Sequence, residues 1–189
     1  MPQDIPAQAR HLLRTALKGS LATLDQPAGA PFVSMVAVAT STDGSPLLLI
    51  SGLARHTANA AADARVGLLL DSTDTSGDPE SGARLTLTGD LHRTEDLGAR
   101  RRYLARQPSA AIYADFADFS FWRLEIGHGH FIGGFGRIQP LDRQQLCLET
   151  DISATFAAGE PDMLAQIQRS RPALLRGFSD PWAVTGVDP

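Results

Sequence analysis

Runs of apolar residues along this chain predict its elements. The densest stretch is Leu47 to Leu70. It opens with Leu47-Leu48-Leu49-Ile50, an unbroken apolar run of strand length, which predicts a buried strand. Ser51 and Gly52 break it. Arg55, His56, Thr57 and Asn59 then open an Ala-rich helix ending near Asp63, and Arg65 leads into a second apolar strand, Val66–Leu70. Upstream, Ala9, Leu12, Leu13, Ala16 and Leu17 recur at helical spacing, with Arg10, Arg14 and Lys18 on the other side. That pattern predicts an amphipathic helix starting at Asp4 or Pro6, with Gly19 as its C-cap.

Alternating patterns supply the remaining strands. Ser20–Asp25 reads as a strand and Gln26–Pro31 as a turn. Phe32–Thr40 puts Val33, Met35, Ala37 and Ala39 on one face and Phe32, Ser34, Val36 and Val38 on the other. Both faces are largely apolar, so something should cover each: a helix, a ligand or a second subunit. Thr42-Asp43-Gly44-Ser45 predicts a hairpin turn. Asp71–Ala83 is polar and predicts an exposed connection; its acidic residues lack ligand spacing, so it reads as solvated rather than metal-binding. In Arg84–Leu91 the leucines Leu85, Leu87 and Leu91 point inward, and Gly89 marks a bulge or a close approach. Thr94 predicts an N-cap, with Glu95 and Asp96 in the first turn of a helix running to about Gln107. Its Arg100-Arg101-Arg102 reads as a solvated face. Ser109–Phe119 is mixed, Ser120–Gly127 is a strand, and Gly129–Phe135 continues it or pairs with it.

At least six strands with two or three helices predict a mainly β fold with peripheral helices (α+β), closed as an antiparallel barrel. The composition changes after position 141, which divides the chain into a barrel domain, 1–141, and an extension, 142–189. Within the extension, Gly159-Glu160-Pro161-Asp162 predicts the cap of a helix over Met163–Ser170, followed by an irregular stretch from Gly177.

Composition narrows the function classes. A chain of 189 residues with 43% hydrophobic and 20% charged residues is of globular type. Its net charge of −4 argues against nucleic acid as a partner. Cys147 is alone, which excludes an internal disulfide and a Cys-rich zinc site; it reads as a small, semi-buried apolar residue. No stretch reaches the ~20 apolar residues of a membrane span, and the N-terminus lacks the apolar core of a secretory signal, so the expected location is the cytoplasm.

The chemistry concentrates after the buried strand. A helix N-terminus carries unpaired N–H donors and partial positive charge, so the start of the Arg55 helix can hold a phosphate. Arg55 can grip two phosphate oxygens in its plane, and Ser51 can donate its hydroxyl. His56 adds only partial charge near neutrality. Thr57 and Asn59 either touch a ligand or cap the helix. Elsewhere, His128 and His130 stand two residues apart on a strand, sharing a face with Leu124 and Ile126. That spacing can ligate a metal or a heme iron, or can be one surface and one buried histidine.

Two motifs carry a family resemblance. Ser51, Leu53, Ala54, His56, Thr57 and Asn59 spell S-x-L-A-x-H-T-x-N, and Gly133-Gly134-Phe135-Gly136 spells G-G-F-G. In that order they make the chain, from Ala9 to Leu141, resemble the FMN-binding split barrels related to pyridoxamine 5′-phosphate oxidase, in their heme-utilisation (HugZ-like) branch. The resemblance implies a split barrel, usually a homodimer with flavin between subunits. It implies that the backbone of Ser34, Met35 and Val36 lies along the flavin, and that Arg84 stands where the oxidases place an amide reader. His56 stands where they more often have Lys. Their substrate-binding Arg-x-His pair has no match in Phe135-Gly136-Arg137-Ile138, so pyridoxal phosphate is not the expected product. The expectation is an FMN-binding oxidoreductase with a small-molecule substrate or electron donor. The alternatives are a heme-binding or heme-degrading protein using His128 or His130, and a non-catalytic flavin-binding module. In the heme-utilisation branch, heme ligation relies partly on a C-terminal histidine; this sequence has none after His130.

Overall fold

The alternating segments pair into one eight-stranded antiparallel sheet. The structure is a computed structural model that describes residues 4–72, 82–134 and 137–170. Most of the acidic connection after Asp71, the Phe135-Gly136 half of the G-G-F-G motif and the segment from Gly177 lie outside the described residues.

Helix α1 (Ile5–Thr15) starts at Asp4, whose side chain accepts from the Ala7 N–H. Strands β1 (Lys18–Asp25), β2 (Ala30–Ala37), β3 (Ala39–Thr40) and β4 (Pro46–Ser51) follow, then α2 (Arg55–Ala62), β5 (Arg65–Asp71) and β6 (Arg84–Arg93). Helix α3 (Leu97–Arg106), a 3-10 turn (Pro108–Ile112), β7 (Phe119–Ile132), β8 (Ile138–Asp142), α4 (Arg143–Leu146) and α5 (Thr150–Ser170) complete the order.

The sheet runs β2-β1-β5-β6-β7-β4-β3, with β8 beside β7. The outermost strands of that path, β2 and β3, are consecutive in the chain. The predicted single strand Phe32–Thr40 is therefore two strands. It pairs with β1 as far as Ala37, bends at the fully buried Val38 and joins β4 from Ala39. This bend links the two ends of the sheet covalently and makes it a barrel. The interior is filled by Leu21, Leu68, Leu70, Leu85, Leu87, Leu124 and Phe131, with Ala9, Leu12 and Leu13 of α1 packed among them. Strand β4 is buried on both sides, Leu48 and Ile50 toward this core and Leu47 and Leu49 toward Ala99 and Tyr103 of α3. That is the environment its unbroken apolar run implied.

Four local expectations are corrected. Gly19 is not a C-cap: α1 ends at Thr15, and Gly19 lies in β1, where a Cβ would sit 2.8 Å from Leu70 Cδ2. Asp96, rather than Thr94, caps α3, accepting from the Gly98 N–H at 2.8 Å. The three arginines of α3 are not a solvated face. Arg100 pairs with Asp115, while Arg101 and the buried Arg102 both pair with Glu160, which is 1% exposed. Finally, α5 does not begin after Pro161 but runs through it from Thr150. Glu160 therefore sits mid-helix, docked on α3, rather than in a cap. Leu146 and Cys147 belong to the barrel core.

Candidate functional site

Two places gather the predicted site residues. The first is the start of α2. Ser51 ends β4, and its Oγ donates to Asp118 Oδ2 at 2.5 Å while accepting from the Leu53 N–H at 3.1 Å. Asp118 also takes the Gly52 N–H on its backbone carbonyl, at 2.6 Å. The Arg55 guanidinium forks onto Asp25 at the end of β1, with Nε 2.7 Å from Oδ1 and Nη2 bonded to Oδ2. It also lies over the Phe32 ring, 5.0 Å from the centroid. The hydrogen bond from Arg55 holds the Asp25 carboxyl below its ordinary range, so this partner is ionised.

His56 is half-buried, with Nδ1 3.0 Å from Ser34 Oγ. Burial holds its pKa below the ordinary 6.5, so it is neutral at pH 7. Asn59 is buried and donates to Thr23 Oγ1 at 3.1 Å, as a helix anchor. Thr57 is also buried, and its Oγ1 has no hydrogen-bond partner among the described residues. Ala54 precedes the helix and provides no side-chain cap. Ser34, His56, Arg55 and Ser51 are thus brought near one another. Val36 is buried in the core, and Met35 points to the opposite, outer face, where it is 70% exposed. Arg84 is not brought to this cluster within one chain. It pairs with Asp71 at one end of β6, while Arg65, next to α2, pairs with Asp90 six residues on, about 20 Å along the strand.

Sequence reasoning missed Asp25 and Asp118. Each lies at the end of a segment distant in the chain from α2, and only the closed sheet returns it there.

The second place is the outer face of the barrel. Directly opposed residues in antiparallel strands share a face. One row of such residues runs Met35, Ser20, Leu69, Thr86, His130 and Pro140 across six strands. The next row runs Val33, Ala22, Gly67, Thr88, His128 and Asp142. Both histidines are exposed on this face, which corrects the expectation that they share a face with Leu124 and Ile126. The cause is a β-bulge. The register shifts between Thr88 and Gly89, leaving Gly127 unpaired and inverting the alternation beyond it. Gly89 makes the bulge possible, because a Cβ there would lie 1.9 Å from the Glu125 carbonyl oxygen.

This face is open and mixes apolar with polar positions. Val33 is 61% exposed and Ile138 62%. A groove of about 380 Å³ lies on it, lined by Ala22, Leu24, Pro31, Gly67 and Thr88, with Arg65 and Asp90 facing each other at one end. Thr88 lies directly across from His128. His128 Nδ1 is 3.9 Å from Asp142 Oδ1. No cluster of three or more metal-ligating side chains occurs among the described residues. No helix among them is long and apolar enough to cross a membrane.

The chain is similar to several known proteins. A family model described as "CREG, beta-barrel" matches residues 1–147. The non-canonical heme oxygenase HOZ, chloroplastic, of Arabidopsis thaliana is 37% identical over 133 residues, which is 67% of this chain and 40% of that protein. The chain therefore spans well under half the length of this relative. A heme binding protein from Mycobacterium smegmatis superposes with a TM-score of 0.72 at 26% identity, covering 93% of this chain and 72% of that one. The protein Atu2129 of Agrobacterium tumefaciens, of unknown function, superposes with a TM-score of 0.83 at 26% identity, covering 100% and 82%.

Proposed function

Since this chain belongs to the CREG β-barrel family, a split barrel with heme-utilisation relatives, we propose that it binds heme on the open outer face of its barrel. The observation that carries the reading is the placement of His128 and His130. The bulge turns both imidazoles outward, into the rows that hold Val33, Met35 and Leu69 and beside the apolar groove. An exposed imidazole can ligate heme iron, and an apolar groove beside it can take part of the macrocycle. The donor set therefore fits the group: His128 or His130 would supply an imidazole nitrogen to the iron, and Ala22, Leu24, Pro31 and Gly67 would offer the apolar surface beside it. When bound, heme would supply redox and oxygen chemistry; this chain would supply ligation and a surface of low polarity. The relatives named for heme binding and for heme oxygenase activity support heme as the ligand, while the face and the histidines are argued from this chain alone.

The flavin reading that the resemblance implied has less support. Arg55 and Ser51, its strongest phosphate donors, each hold a carboxylate already. The test is a hemin titration followed by absorbance. Saturable binding at one heme per chain or per pair of chains, with a shifted Soret band, is the expected result. Only the broad spectrum of free hemin would refute the proposal.

A further inference from the structure

The start of α2 has the outline of a phosphate seat, but its charges are arranged against one. Among the described residues, the charged side chains bonded around its first turn are Arg55, Asp25 and Asp118. Asp25 occupies the fork of Arg55 through both Nε and Nη2 and is held ionised by it. Asp118 Oδ2 accepts a hydrogen bond from the Ser51 hydroxyl at 2.5 Å. Burial holds the His56 pKa below its ordinary value, which disfavours a second positive charge here, and its Nδ1 is engaged with Ser34. A phosphate dianion placed here would meet a net negative set of side chains. It would also have to displace charge-assisted bonds that are stronger than ordinary ones.

We infer that Asp25 and Asp118 are specificity residues that close the N-terminus of α2 to the phosphate of FMN. The two carboxylates sit on the donors that a phosphate would need. The inference does not depend on the heme reading, because the imidazoles proposed for heme lie on β7, outside this cluster.

The experiment is titration of FMN, followed by quenching of its fluorescence, into the full chain and into Asp25→Asn, Asp118→Asn and the double variant. Riboflavin, which lacks the phosphate, is the control ligand. Far-ultraviolet circular dichroism establishes that each variant is folded. The expected result is no saturable FMN binding by the wild type up to about 100 μM, and a gain of about tenfold or more in the double variant. That gain should be absent for riboflavin and should disappear when Arg55→Ala is added. If the double variant does not fold, the single variants carry the test, each with a smaller gain. Saturable micromolar FMN binding by the wild type would overturn the inference. So would folded variants that bind FMN no better than wild type, or a gain that riboflavin shares.

Discussion

Single residues decide which side chains meet. Gly89 is the clearest case. The sequence marked it as a bulge or a close approach, and it is both. What the sequence did not reveal is that the bulge falls opposite Gly127 and so inverts the facing of His128 and His130. Strand alternation is read by counting, and one unpaired residue shifts the count for everything beyond it. Asp43 shows a second kind of limit. It was legible as part of a hairpin turn, but the fold buries it. Burial alone would raise its pKa, yet Ser41, Ser45 and Arg123 all donate to it and hold it below the ordinary 3.8. A carboxyl of depressed pKa stabilises the fold above its unfolded pKa and loses that contribution as pH falls through its folded value. Asp43→Asn should therefore cost about 1–3 kcal/mol at pH 7. The gap from wild type should narrow as the pH drops below about 4. Urea melts at pH 7 and pH 3 check this; an equal gap at both would remove Asp43 from the acid response.

Elements with a clear period were legible: β4, α2, β5 and β6 fall where the hydrophobic pattern placed them, and α1 starts where expected but ends at Thr15, short of Gly19. Element boundaries that depend on tertiary partners were not. The Gly159–Pro161 segment carries two residues that disfavour a helix interior, so a cap was the natural expectation. Instead α5 continues, because Glu160 is buried against Arg101 and Arg102, and Arg102 also donates to the Thr40 carbonyl at 3.0 Å. The same contact explains why three consecutive arginines on α3 are not a solvated face. Removing one member of a buried ion pair leaves its partner's charge uncompensated. Glu160→Ala should destabilise the protein by about 3–5 kcal/mol, and Arg102→Met together with Glu160→Leu should recover much of that loss. Thermal or denaturant melts of the two variants check it. A Glu160→Ala protein as stable as wild type would show that this contact does not secure α5.

At the scale of the whole molecule, the bend at Val38 closes the barrel, and the helices leave one face of it open. That face holds Met35, Val33, Leu69 and Ile138, all exposed. We propose that a second copy of the chain packs on it through the β2 strand, with heme held against the same surface. A stable interface buries about 800 Å² per partner, and the exposed Val33, Met35, Leu69 and Ile138 supply its apolar part. Sedimentation equilibrium should return a dimer at micromolar concentration; a monomer throughout would remove the second copy. The central claim is that heme sits on this outer face, ligated from β7 rather than from α2. The most direct measurement is hemin titration of wild type, of His128→Ala/His130→Ala and of His56→Ala, comparing Soret position and affinity. The expected result is that the double variant loses the ligated Soret band and at least about tenfold in affinity, while His56→Ala keeps both. An unchanged spectrum in the double variant, with loss in His56→Ala, would contradict this account and move the ligand to the start of α2.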